Sequence, residues 1–137
     1  MTDVQILKAH RGIGESVKGE ALVANDGFSA RYDLDRINGV FSRPQHALYG
    51  QNYVGKVLVL DMAKGGVASA WMLRDMLAGG MAPAALLLNY ANPVIAQGAA
   101  FANLTLMDRF ESDVTAAIPS GAQVEVDPEA GLVRILS

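Results

Sequence analysis

Gly55-Lys56-Val57-Leu58-Val59-Leu60-Asp61-Met62-Ala63-Lys64-Gly65-Gly66-Val67-Ala68-Ser69-Ala70-Trp71-Met72-Leu73 reads as an apolar strand, a Lys-Gly-Gly loop and a helix. Val57 to Leu60 is apolar without alternation, the pattern of a strand covered on both faces, as in a parallel sheet. From Ala68 to Leu77 the period becomes helical, with Met72, Leu73, Met76 and Leu77 on one side, and Gly79-Gly80 ends the helix. The loop between strand and helix has anion-binding character. A helix that opens just after two glycines leaves backbone N–H groups free, and glycine lets a negative group approach them closely.

Outward from this unit, Ala85 to Leu88 supplies a second buried strand after Pro83. Asn92-Pro93 is a helix start, with Asn92 as N-cap and Pro93 in the first position, and the helix runs to about Ala102. Leu104 to Leu106 fits a third parallel strand. Ala122 to Val126 and Leu132 to Leu136 flank Asp127-Pro128-Glu129-Ala130-Gly131, a hairpin turn by composition. At the start, Val4 to Leu7 and Val17 to Ala24 are strand-like around a Gly12-Ile13-Gly14 turn, with Gly19 marking a bend or bulge. Asn25 to Gln51 is irregular and long, which marks a binding loop or partner-facing segment. The fold class expected is a mixed α/β, barrel-like single domain over residues 1–137.

Composition narrows the function. The 137 residues are 51% hydrophobic and only 18% charged, enough for one core, and they leave apolar surface for a permanent partner to cover. A net charge of −3 with eleven scattered basic residues gives no nucleic-acid footprint. No apolar run approaches the roughly 20 residues of a bilayer span and no leader pattern opens the chain, so a cytoplasmic protein is expected. There are no cysteines, which removes thiolate nucleophiles and cysteine-held clusters from this chain.

Lys64-Gly65-Gly66 is neither a Walker sequence nor a dinucleotide fingerprint. Its alternatives are an anion cradle or a plain strand-to-helix turn. Ser69 falls in the first helical turn, with its hydroxyl near the same place or bonded back to a carbonyl. His46, one of two histidines, serves in substrate binding or proton transfer, or is a solvated loop residue. Asp33 and Asp35 form either an acid/base pair or turn and capping residues. No histidine pair stands at metal spacing, so no metal site is expected on this chain.

Most of the chain resembles the small subunit, or swivelling domain, of aconitase X. His46-Ala47-Leu48-Tyr49-Gly50 is similar to the family's His-Pro-Leu-x-Gly, and Gly55-Lys56-Val57-Leu58-Val59 to its Gly-Lys-(Val/Ile)-Leu-Val. Asp33 resembles the aspartate of the preceding loop. Ala82-Pro83-Ala84-Ala85-Leu86 and Pro93-Val94-Ile95-Ala96-Gln97-Gly98-Ala99 resemble two further family stretches. The resemblance implies a swivelling β/α domain, a subunit of a hydro-lyase, active only with a separate large subunit. That subunit's cysteines would hold an iron or iron–sulfur centre, which would accept the leaving hydroxyl as a Lewis acid. It implies a small hydroxy acid substrate, cis-3-hydroxy-L-proline first and mevalonate 5-phosphate second. Lys64 with the N–H groups of Gly65 and Gly66 would hold the substrate carboxylate, Asp33 would join the binding set, and Ser69 or His46 would move a proton.

One departure stands out. The family's Gly-Arg-Gly-Ser and a following serine correspond to Ala63-Lys64-Gly65-Gly66 and Ala70, which leaves Ser69 as the substitute serine and a lysine in place of a guanidinium. Two other classes therefore stay open: a non-catalytic interaction domain sharing the swivel fold, and a free-standing small-molecule binder.

Overall fold

The computed structural model describes residues 5–30, 32–63 and 67–136, with Val67 and Ser69 described by backbone alone. Along the chain run β1 (Gln5–Lys8), β2 (Val17–Val23), β3 (Leu34–Asp35), β4 (Val40–Phe41), β5 (Val57–Met62), α1 (Val67–Ala78), β6 (Ala85–Tyr90), α2 (Pro93–Ala102), β7 (Thr105–Met107), α3 (Val114–Ala117), β8 (Gln123–Asp127) and β9 (Leu132–Ile135).

Seven strands form one mixed sheet in the order β1-β9-β8-β2-β5-β6-β7. Strand β2 is where its character changes. Val17 to Glu20 runs antiparallel to β8, whereas Ala21 to Val23 runs parallel to β5. Gly19 lies just before the switch, where an added Cβ would stand 3.3 Å from the Val57 Cγ2. Beyond β5 the strands are all parallel, β5 to β6 and β6 to β7, joined by crossover helices as parallel neighbours require.

The sheet curls back on itself. Ile13, just past edge strand β1, exchanges both backbone hydrogen bonds with Leu106 of the opposite edge strand β7, at 2.8 and 3.0 Å. That contact pairs the outer edge of β7 at Leu106 with the turn that follows β1. Gly14 makes it fit: its φ is +91°, and a Cβ there would stand 2.7 Å from the Thr105 Cα. The glycine-rich turn between β1 and β2 thus serves barrel closure, since β1 pairs with β9 and β2 with β8 and β5.

Alternation along β5 and β6 divides two cores. Val57, Val59, Ala85 and Leu87 point into the barrel, with Met107, Val124, Val126 and Val133. Leu58, Leu60, Leu86 and Leu88 point the other way, under α1, α2 and the 25–53 segment, with Phe28, Phe41, Tyr53 and Ile95. All eight strand side chains are fully buried, which is why the sequence shows an unbroken apolar run. Helix α2 starts as its cap residues dictate, with the Asn92 Oδ1 accepting the Ile95 N–H at 2.9 Å. It packs tightly on α1, where a Cβ on Gly98 would stand 2.6 Å from the Ala70 Cβ.

Candidate functional site

Parallel α/β sheets present ligand sites at the carboxyl ends of their strands, and here that end is met by the 25–53 segment. The Asp61 N–H donates to the Asp26 carbonyl at 2.8 Å, and the Phe28 N–H to the Met62 carbonyl at 2.8 Å. Phe28 bridges Ala63, the last described residue before position 64. The segment is therefore laid along the end of β5.

Within it, a short β3–β4 ladder and a set of turns bring Asp26, Asp33, Arg43 and His46 together. Asp33 is buried; its Oδ2 accepts the Ser29 N–H at 2.9 Å and its Oδ1 takes the Arg43 Nε–H. Its carbonyl accepts from Ser42 at 2.8 Å, which fixes the approach of β4. The bond to Asp33 holds the Arg43 pKa above its ordinary value. Both oxygens of Asp26 accept backbone N–H groups, from Gly27 at 2.7 Å and Ala47 at 3.1 Å. Partial burial pushes the Asp26 pKa up, but those two bonds, helped by the nearby His46 and Arg43, outweigh it and leave it lowered.

His46 is buried against Phe41, the rings stacked with centroids 4.6 Å apart. Its Nδ1 accepts the Leu48 N–H at 3.0 Å, which fixes the proton on Nε2, and Nε2 donates to the Gly27 carbonyl at 2.7 Å. The carboxylates of Asp26 and Asp33 each lie 3.8 Å from Nε2. His46 is not a solvated loop residue: it staples Gly27 to Leu48 and stands between two carboxylates.

Of the residues singled out from the sequence, Asp33 and His46 meet in this corner. Lys64, Gly65 and Gly66 lie outside the described residues, as does the Ser69 side chain, whose backbone sits in the first turn of α1. Asp35 does not join Asp33 as an acid/base pair. It is half-buried and accepts from the Ile37 and Asn38 N–H groups at 3.1 Å each and from the Asn38 amide at 2.8 Å, an Asx-type turn. The Asn38 side chain, then its N–H, holds the Asp35 pKa down.

Sequence reasoning missed Arg43 and Asn89. Asn89, at the end of β6, donates to Asp61 and Asp113 at 2.9 Å each and accepts the Val114 N–H at 2.8 Å, tying β5, β6 and α3 together. Arg43 is an isolated basic residue in an irregular stretch; the one signal was its place between Asp33 and His46.

On the helix side, α1 and α2 leave a groove of ≈ 220 Å³ lined by Trp71, Arg74, Val94, Gln97 and Phe101 over Ala70 and Gly98. Trp71 is 59% and Phe101 74% exposed. Among the described residues no group of three or more His, Cys, Asp or Glu is placed to hold a metal ion.

Fold and corner together define a mixed α/β domain with a cluster of charged and hydrogen-bonded side chains in the segment that meets the carboxyl end of β5. The chain belongs to the aconitase X swivel domain family, whose model matches residues 6–135. It is 33% identical over 129 residues to the phosphomevalonate dehydratase small subunit of Methanocella arvoryzae, covering 94% of this chain and 98% of that protein. With the protein of the same name from Methanothrix thermoacetophila it shares 32% identity, covering 93% of this chain and 92% of the relative. Its fold matches the crystal structure of holo-form aconitase X from Thermococcus kodakaraensis with a TM-score of 0.89 and 25% identity, over 97% of this chain and 99% of the other.

Proposed function

We propose that this chain is the small subunit of an aconitase X-type hydro-lyase that dehydrates mevalonate 5-phosphate. The observation that carries this is near end-to-end similarity to relatives named for that activity, at 33% identity over 94% of the chain. The relatives reported above carry the name of the phosphorylated substrate and none that of cis-3-hydroxy-L-proline, which reverses the order expected from the sequence.

In this reading the large subunit holds the metal centre. This chain has no thiolate, and its described His, Asp and Glu residues form no ligand set, so no step is assigned to a metal here. Lys64 and the Gly65 and Gly66 N–H groups receive the substrate carboxylate, since a helix N-terminus and its dipole favour an anion. Ser69 moves the proton. The two ring-nitrogen bonds of His46 favour a positioning part for it, holding the Gly27 and Leu48 turns so that Asp33 stays at the strand end. Closure over the large subunit excludes water. The reaction takes place in the cytoplasm; no helix among the described residues is long and apolar enough to cross a membrane.

The test is to co-express the chain with its large subunit and assay loss of water from mevalonate 5-phosphate and from cis-3-hydroxy-L-proline. Turnover of the phosphorylated acid by the complex, and by neither subunit alone, is expected. A complex that dehydrates only the hydroxyproline overturns the substrate, and a chain that binds no large subunit overturns the function.

A further inference from the structure

We propose that Arg43 is the residue through which this chain grips an oxyanion of the substrate, carboxylate or phosphate, an inference that rests on the reading of a small hydroxy acid bound at this corner. A guanidinium offers five N–H donors, and a described residue accepts from only one of them, Nε, bonded to Asp33. The Nη1–Nη2 edge is left for a ligand, and the side chain is 34% exposed, within reach of one.

What distinguishes this arginine is how it is held. Its partner Asp33 is only 5% exposed in its side chain and has its second oxygen on the Ser29 N–H, so the carboxylate cannot swing. A buried carboxylate held for a half-exposed arginine is a poor stabilising device, because desolvation offsets much of the attraction. It is a good aiming device: the guanidinium loses its rotamer freedom before the ligand arrives, so binding costs less. Among the described residues, Asp26, Asp33, Arg43 and His46 meet at the corner. Asp33 is engaged by Arg43, both Asp26 oxygens are capped by N–H groups, and the His46 ring nitrogens are bonded to Gly27 and Leu48, so Arg43 is the one among them with donors that no described residue engages. Two flat parallel bonds to a carboxylate or phosphate are what such an edge makes and a lysine cannot.

The experiment uses the two-subunit complex carrying Arg43→Lys or Arg43→Ala, assayed on mevalonate 5-phosphate and on mevalonate. Arg43→Lys keeps a charge beside Asp33 and protects the fold if the alanine variant does not assemble. A rise in KM of about tenfold or more, with kcat and melting temperature little changed, is expected for the lysine variant. A penalty confined to the phosphorylated substrate assigns the grip to phosphate, and an equal penalty on both assigns it to carboxylate. Unchanged KM on both substrates in an assembled complex overturns the proposal. Should the wild-type complex turn over neither acid, the functional reading fails by itself. The arginine is then judged on the full chain titrated with inorganic phosphate and with acetate, read by the guanidinium NMR signals. Saturable shifts of Arg43 with Arg74 unmoved support the grip; Arg43 signals unmoved by either ion overturn it.

Discussion

The 25–53 segment and the α1–α2 pair lie on the same side of the sheet and solve opposite problems. Among its described residues the segment has only two two-residue strands, yet it buries Phe28, Leu34, Phe41, Leu48 and Tyr53 and places Asp33 and His46 out of water with hydrogen-bond partners. The helix pair is regular throughout, yet it exposes Trp71, Val94 and Phe101 around a groove. Regularity satisfies the backbone, and the side chains then decide what the surface is for. The irregular segment spends side-chain bonds on holding its own turns, so its definition comes from Asp26, Asp33 and His46 rather than from a ladder.

If that contrast is right, His46→Ala should have the largest effect. It removes a fully buried ring and unpairs the Gly27 carbonyl and Leu48 N–H, a loss of about 3 kcal/mol or more in denaturant unfolding. On the helix pair, Gly98→Ala should cost about 1–3 kcal/mol by thermal unfolding, since the added methyl would stand 2.6 Å from the Ala70 Cβ and 2.7 Å from its Cα, backbone that cannot easily give way. A smaller handle is pH. Because the folded pKa of Asp26 is lowered, its contribution is full above the unfolded carboxylate value of about 3.9 and fades as pH falls through the folded one. Asp26→Asn should therefore flatten the acid side of the stability–pH curve in part only, because the pKa values of Asp35 and Asp113 are lowered as well. Tyr53→Phe should be neutral or slightly stabilising, within about 1 kcal/mol, because the buried hydroxyl has no partner among the described residues. Trp71→Ala should be the mildest, about 0.5 kcal/mol, as it alters an exposed side chain. A Trp71 variant as damaging as the His46 one would break the comparison.

The sheet was legible because burial on both faces leaves a mark: Val57 to Leu60 and Ala85 to Leu88 could only be covered strands, and both are, extended by two residues at their polar ends. Caps were equally plain, since Asn92-Pro93 states a helix start in two residues. The 25–53 segment was legible only as a place. Its order comes from contacts between residues 10 to 20 apart, such as Asp33 with Arg43 and Gly27 with His46, which no periodicity encodes. Helix α3 was missed because its four residues rest on a single cap, Asp113, and on Asn89 from another strand. His46 and Asp33 were each singled out by family likeness, and their meeting, a backbone-locked ring between two carboxylates, needed coordinates.

The central claim is that this irregular segment is one wall of a dehydratase site, aimed by Asp33. Asp33→Asn, purified in complex with the large subunit, tests it by steady-state dehydration of mevalonate 5-phosphate alongside the melting temperature. Loss of the carboxylate that orients Arg43 should lower kcat/KM by about a hundredfold while the complex still assembles. Wild-type kcat/KM from that assembled variant would contradict the account.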